Sequence, residues 1–225
     1  LADLCGKPVI ARTYDAAVAT GLFDDVYVVT NHDGIEKAVR DNGGKVIRSK
    51  KHHETGSDRI AEAVEGIDCD IIVNVQGDEP FVTRGPLENL ISVFSGPDAD
   101  RIDLASMVQQ IKNPEFVTDP NYVKVVMDKD NFALYFSRSP IPYPREKHMD
   151  IKYYEHVGVY AFRRQSLLDF ARNAQLQNEM AEKIECIRYL EYGQRIKMVE
   201  APFVSIEVDT PQDLENARKL FKSLH

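Results

Sequence analysis

The sequence predicts an α/β fold with a mainly parallel sheet and an embedded lobe. Three observations carry this reading. Short β-rich runs alternate with helical segments over the first two-thirds of the chain. The run Ile71-Ile-Val-Asn-Val75 is apolar enough for a strand buried on both faces. After Pro114 the alternation gives way to a hairpin pattern and a proline-rich loop.

Taken in order, Pro8 sits where proline is tolerated, in a first helical turn, and Val9 to Thr20 follow with Gly21 as a stop. Asp25 to Thr30 is a β-rich run ending in polar residues. Gly34 to Arg40 is helical, closed by Asn42-Gly43-Gly44, and Lys45 to Arg48 is a second short strand. Ser57 can cap a helix whose apolar positions Ile60, Ala61, Ala63 and Val64 recur at helical spacing. Strand–helix–strand units of this length indicate right-handed crossovers. Leu87 to Phe94 is the next helix and Leu104 to Val108 the next strand. Val123 to Met127 and Phe132 to Phe136 read as two strands joined by a tight turn. Ser139 to Pro144 holds three prolines and forms an irregular, semi-rigid loop. Val157 to Tyr160 is a strand, Gln165 to Ala171 a helix, and Glu179 to Tyr192 one longer helix stopped by Gly193. A strand near Ile206 to Val208 and a helix from Pro211 to Leu224 close the chain. With no repeat, low-complexity tract or linker, residues 1–225 read as one domain.

Hydrophobic residues make up 43% and charged residues 28% of the 225, as in ordinary globular proteins, and this argues against disorder. A formal net charge of −8 gives no overall basic field for nucleic acid or an anionic membrane. Local Arg and Lys clusters can still bind a small anion. Three cysteines, Cys5, Cys69 and Cys186, lie far apart without metal-ligand spacing, which suits a reducing compartment. No apolar stretch approaches the roughly 20 residues that span a bilayer. The chain starts at Leu1 without a Met, so a preceding segment is expected.

Four clusters can carry chemistry. In Val73-Asn-Val-Gln-Gly-Asp-Glu-Pro80, a glycine turn presents carboxylates just past a strand's carboxyl end, the edge where α/β sheets bind ligands. Such oxygens suit Mg²⁺, which keeps waters and substrate phosphates as its other ligands. A polar turn with Asp78 as a cap explains the same residues equally well. In Ile206-Glu-Val-Asp-Thr-Pro-Gln-Asp213, Thr210, Pro211 and Asp213 make a capping-box-like helix start. That account leaves Asp209 over, and Asp78 and Asp209 can meet at one sheet edge. In His52-His-Glu-Thr-Gly-Ser-Asp-Arg59, Gly56 permits close approach of a phosphate or base, and Ser57 opens a helix whose free N–H groups favour anions. Arg59 can pair bidentately with a carboxylate or phosphate. His52 and His53 lack a partner at zinc spacing and read as solvated. Finally, His156 and Tyr160 share a strand face beside Tyr135-Phe-Ser-Arg138, which suits a polyhydroxylated ligand. A satisfied, partly buried histidine is the plainer account of His156. Glu182, Glu185 and Arg188 at helical spacing read as surface charges.

Gly6-Lys7-Pro8, His-x-x-Gly-Ser-Asp-Arg, Asn-Val-Gln-Gly-Asp-Glu-Pro, Val-Lys-Val-Val, Ala-Leu-Tyr-Phe-Ser-Arg, His-Val-Gly-Val-Tyr, Glu-x-x-Arg-Tyr-Leu-Glu-x-Gly and Val-Asp-Thr-Pro-x-Asp-Leu occur in this order. Together they resemble the CMP-KDO synthetases, 3-deoxy-manno-octulosonate cytidylyltransferases, over nearly the whole chain. The resemblance implies a Rossmann-like, nucleotide-diphospho-sugar-transferase-like fold with a dimerisation and sugar-binding lobe at about 120–165. It implies transfer of CMP from CTP to the anomeric hydroxyl of KDO, with release of pyrophosphate, in the cytoplasm of a Gram-negative bacterium making lipopolysaccharide. By matching positions, Asp78 and Asp209 would hold Mg²⁺ and act in catalysis with Arg59. Thr30, Gly56, Ser57, Asp58 and Gly77 would line the nucleotide, and Arg59, Gln76, Arg138, His156, Tyr160 and Glu185 the sugar. A homodimer is expected, with neither nucleic acid nor membrane as partner.

Two departures from the family pattern stand out. Family members begin with a strand and an Arg-, Ser-, Gly- and Lys-rich loop that cradles the CTP phosphates, and this sequence begins after that loop; the expectation is that the segment lies upstream. Asn31 stands where Asp is expected after Thr30 and removes a negative charge near the nucleotide. Two alternatives stay open: a cytidylyltransferase for another acidic sugar such as sialic acid, and a non-catalytic nucleotide-binding or scaffold protein. A Rossmann dehydrogenase is disfavoured because no Gly-x-Gly-x-x-Gly follows a strand.

Overall fold

The computed structural model describes residues 1–53, 55–146, 149–201 and 207–224. The first α-helix, α1, spans Val9–Ala19; Pro8 supplies its N-cap rather than its first turn, and Gly21 follows at φ +62°, a left-handed conformation that ends the helix cheaply only with glycine. Strand β1 (Val28–Thr30), helix α2 (Asp33–Asp41) and strand β2 (Val46–Arg48) form the expected crossover, with β1 and β2 parallel. Helix α2 is capped by His32, whose Nδ1 accepts from the N–H groups of Gly34 and Ile35. Helix α3 (Gly56–Val64) is capped by Thr55, not by Ser57, which is buried inside the first turn.

Strand β3 (Ile71–Asn74) leads to a turn and then to α4 (Arg84–Ser92). Apart from Asn74, the β3 side chains are only half-buried, so this strand is less enclosed than its apolar run suggested. Next come β4 (Leu104–Gln110), the short α5 (Pro114–Thr118), β5 (Lys124–Met127), β6 (Ala133–Ser137) and β7 (Tyr154–Arg163). Helices α6 (Arg164–Arg172), α7 (Gln177–Glu182) and α8 (Ile187–Glu191), strand β8 (Ile196–Glu200) and helix α9 (Pro211–Leu224) complete the described chain. Of the strand expected near Ile206 to Val208, Ile206 lies outside the described residues, and Glu207 and Val208 belong to no strand.

The chain forms two units. One comprises residues 1–68, 74–88 and the C-terminal segment; the other comprises 69–73 and 89–202. In the first, Leu4, Val9 and Ala217 are buried together, and Phe81, Val208, Leu214 and Phe221 pack against them. The C-terminal segment is thereby fixed on the N-terminal one by apolar burial. Arg12 reinforces this: its guanidinium lies 4.3 Å from the Phe221 ring centroid while donating to the carbonyls of Leu4 and Cys5.

The second unit holds a sheet in the order β6-β5-β7-β4-β8, with β3 also paired to β7. The expected mainly parallel sheet is corrected here. β4 and β8 are parallel, but β4–β7, β5–β6 and β5–β7 are antiparallel, so the sheet is mixed. The hairpin accounts for one of these pairs: a tight turn at 128–132 forces β6 back along β5. Asp128 Oδ1 accepts from the N–H groups of Asp130 and Phe132, and Asn131 takes the left-handed conformation that asparagine tolerates.

The single long helix expected from Glu179 to Tyr192 is two. Lys183 at φ 55°, ψ 45° ends α7 in a left-handed turn, and α8 restarts at Ile187. What holds the break is a buried ion pair. Arg188 and Glu179 side chains are 3% and 2% exposed; Arg188 Nε and Nη2 donate to the two Glu179 oxygens at 2.7 and 2.6 Å. Glu191 adds a cap, accepting from the N–H groups of Asn178 and Glu179. Arg188 is therefore an internal tie, not the surface charge its spacing suggested.

Candidate active site

Asp78 is placed by its neighbours on both sides. The Gly77 carbonyl accepts from Thr13 Oγ1 on α1 at 2.9 Å, and the Asp78 carbonyl accepts from Val208 N–H at 3.0 Å. The second bond lays residues 207–209 along the turn after β3. One carboxylate oxygen from each of Asp78, Glu207 and Asp209 lies within 4.8 Å of the others. The meeting of Asp78 and Asp209 was legible in the sequence; Glu207 was overlooked. Its signal was alternation: with Val208 turned into the apolar cluster, residues 207 and 209 project to the same side.

Burial pushes the Asp78 carboxyl above the ordinary carboxylate range; a backbone N–H pulls the other way, and the Asp209 charge adds to the rise. Its Oδ1 is buried and has no hydrogen-bond partner among the described residues. A carboxylate with a desolvated oxygen lacking a donor, grouped with two more carboxylates, is an arrangement that a hard cation satisfies.

On α3 the predicted residues divide. Thr55 and Asp58 form a reciprocal cap: Asp58 N–H donates to Thr55 Oγ1 at 3.1 Å, and the Thr55 hydroxyl donates to Asp58 Oδ2 at 2.8 Å. Asp58, expected at the nucleotide, is thus engaged in starting the helix. Ser57 is buried, Gly56 exposed. Arg59 is half-buried, and its Nε has no hydrogen-bond partner among the described residues. His53, read as solvated, instead shares a 2.7 Å hydrogen bond with Glu62, which also accepts from Ser49 Oγ and Lys50 N–H. These partners, His53 first and then Ser49, hold the Glu62 carboxyl down to about 2. His52 is exposed.

Thr30 is 3% exposed, and its hydroxyl accepts from His32 N–H. Its side chain is directed into the fold, so a nucleotide would meet its neighbours instead. Those neighbours form a groove of about 570 Å³ lined by Asn31, Arg48, Ser49, Lys50, Lys51 and His52. It lies at the carboxyl ends of the parallel β1 and β2, and its lining is basic.

In the second unit, β7 carries His156 and Tyr160 on one face, their rings 5.4 Å apart between centroids. His156 Nε2 is 2.9 Å from Ser106 Oγ, and its ring meets the edge of Phe136. Burial alone lowers its pKa to about 4, so the ring is neutral at physiological pH. Tyr160 is buried and Glu185 half-buried in the turn between α7 and α8. Gln76 is half-buried before the Gly77 turn of the first unit. Arg138, expected at the sugar, is held by backbone carbonyls. Its guanidinium donates to the carbonyls of Glu182 (2.7 Å), Pro120 (2.8 Å) and Lys183 (3.4 Å), and Glu182 accepts from its backbone N–H and from Ser137 Oγ. Glu182 and Arg138 are thus structural ties that hold β6 to the α7 turn.

The family model for cytidylyltransferases matches residues 1–196. A 3-deoxy-manno-octulosonate cytidylyltransferase from Christiangramia forsetii is 59% identical, covering 97% of this chain and 88% of that protein. The chain belongs to the 3-deoxy-manno-octulosonate cytidylyltransferase family. The enzyme of that name from Flavobacterium johnsoniae is 56% identical over 99% of the chain and 91% of its own length. A solved CMP:2-keto-3-deoxy-manno-octonic acid synthetase complexed with CTP superposes with a TM-score of 0.92 at 35% identity, over 100% of this chain and 92% of that one. The α/β, nucleotidyltransferase-like fold expected from the motifs is therefore the fold of this family member.

Proposed function

We propose that the protein is a nucleotidyltransferase that transfers CMP from CTP to the anomeric hydroxyl of KDO, giving CMP-KDO and pyrophosphate. Membership in a family whose members carry that activity in their names supports the reading. The observation in the structure that carries it furthest is the convergence of Asp78 and Asp209.

The donor set fits Mg²⁺: it is all oxygen, it is anionic, and one of its oxygens is buried without a donor. Asp78 and Asp209 would hold the ion, which when bound neutralises charge on the α-phosphate and pyrophosphate and lowers the pKa of the attacking hydroxyl. The remaining work falls to the chain's own residues. The basic groove beside Thr30 offers Lys50 and Lys51 to the nucleotide, and Asn31 in place of Asp keeps that lining free of an acid. Arg59, with a buried unpartnered Nε, is suited to the carboxylate of an acidic sugar. The neutral His156 offers a ring hydrogen bond without adding charge, and Tyr160, Gln76 and Glu185 are the further sugar-binding candidates. Catalysis is then positioning and electrostatics with no covalent enzyme intermediate.

We assign the protein to the cytoplasm and to lipopolysaccharide synthesis, and expect a homodimer formed through the lobe at 120–165. Leu134, Tyr143 and Met149 of that lobe are 60%, 83% and 57% exposed, apolar side chains suited to contact with a second copy. Among the described residues no helix is long and apolar enough to cross a membrane. The test is pyrophosphate release from CTP and Mg²⁺ by the full-length protein. Release should require KDO and be lost in Asp78→Ala and Asp209→Ala; release supported by sialic acid instead would overturn the sugar assignment.

A further inference from the structure

We infer that Glu207 is a third carboxylate ligand for the divalent cation, so that the protein binds its metal before any nucleotide arrives. The inference rests on the reading of Asp78 and Asp209 as metal ligands and goes beyond it. Two carboxylates make a site that relies on substrate phosphates to complete it. Three carboxylates supply a formal charge of about −3 and enough oxygens to retain an ion in the absence of CTP.

The backbone dictates the placement. Val208 N–H donates to the Asp78 carbonyl at 3.0 Å, which fixes the register of 207–209 against the turn after β3. The Val208 side chain packs against the cluster of Leu4, Val9 and Ala217. Glu207 and Asp209 flank Val208, and both bring a carboxylate to the same place. Their carboxylates meet that of Asp78 within 4.8 Å. Asp78 contributes the buried oxygen without a donor. Three like charges at this separation oppose one another in the metal-free protein, and a cation turns that opposition into attraction. Glu207 is exposed, so ligation by its carboxylate makes no demand on the core.

The probe is Mn²⁺ alone, titrated into full-length, nucleotide-free protein and followed by the loss of the free-ion electron paramagnetic resonance signal. The wild type should bind one ion per chain. Glu207→Gln should weaken that binding roughly tenfold or more, at least the effect that removing a ligand's supporting partner has elsewhere. Asp24→Asn, an equal charge change at another exposed position of the same unit, should leave it unchanged. Wild-type affinity in Glu207→Gln, with binding lost in Asp78→Asn, would overturn the role of Glu207 and leave the two-aspartate site standing. Equal weakening in Glu207→Gln and Asp24→Asn would overturn it as well, by showing a general charge effect. Binding unaffected by Asp78→Asn would remove the metal site on which the inference rests. Matching thermal melts of the variants and wild type exclude unfolding as the cause.

Discussion

Replacing Glu179 by Gln should cost the protein about 3 kcal/mol, and replacing it by Ala about 5 kcal/mol. The reasoning starts from burial: the two side chains of the Glu179–Arg188 pair are 2% and 3% exposed, so neither charge has water to fall back on. Arg188 keeps its weaker bonds to the carbonyls of Phe170 and Asn173 and its place 3.9 Å from the Phe170 ring centroid. None of these carries a formal negative charge. The buried guanidinium loses its bidentate carboxylate partner, which is the expensive outcome, whereas Gln retains one oxygen to accept and so falls at the lower end. Urea denaturation followed by far-ultraviolet circular dichroism gives the cost as a shift in midpoint at constant slope. Glu179→Leu combined with Arg188→Met should recover most of the loss, because it removes both charges and keeps the volume. A cost below about 1 kcal/mol for Glu179→Gln would refute the claim that this pair holds the α7–α8 break.

Acid should destabilise the protein through His156. Its folded pKa, about 4, lies below the ordinary histidine value of 6.5, so the unfolded chain binds the proton more readily. The contribution is fully present above pH 6.5 and is lost as pH falls toward 4, by up to roughly 3 kcal/mol. His156→Gln should flatten that limb of a stability–pH curve; an unchanged limb would assign the acid sensitivity to other groups. Thr210→Ala should cost about 1 kcal/mol, since Thr210 Oγ1 accepts from Asp213 N–H at 3.2 Å at the start of α9. Amide exchange in the first turn of α9 would report it, and unchanged protection would show that the cap carries no stability.

Much of this was legible in the sequence because its signals are local. The Thr210–Asp213 cap, the Asp128–Phe132 hairpin turn and the β1–α2–β2 crossover depend on residue types at fixed short spacing, and the structure has all three. The Asp78–Asp209 meeting followed from two strand-end acids, although they are far apart in sequence. What stayed hidden depends on tertiary partners. Lys183 bears no mark of a left-handed residue, so the helical period of 179–192 ran straight through the break. The antiparallel pairing of β7 with β4, which makes the sheet mixed, joins strands far apart in the sequence that no local spacing links. Arg138 matched a motif expected at a sugar, and its donors go to carbonyls of Pro120 and of the adjacent Glu182 and Lys183, partners that no local pattern reveals.

The most direct test of the central claim is the identity of the product formed from CTP, Mg²⁺ and KDO by the full-length protein, followed by phosphorus-31 nuclear magnetic resonance. The account predicts that the three CTP resonances give way to pyrophosphate and a single phosphodiester signal, only when KDO is present. CTP left intact with KDO, but consumed with sialic acid or with neither sugar, would contradict it.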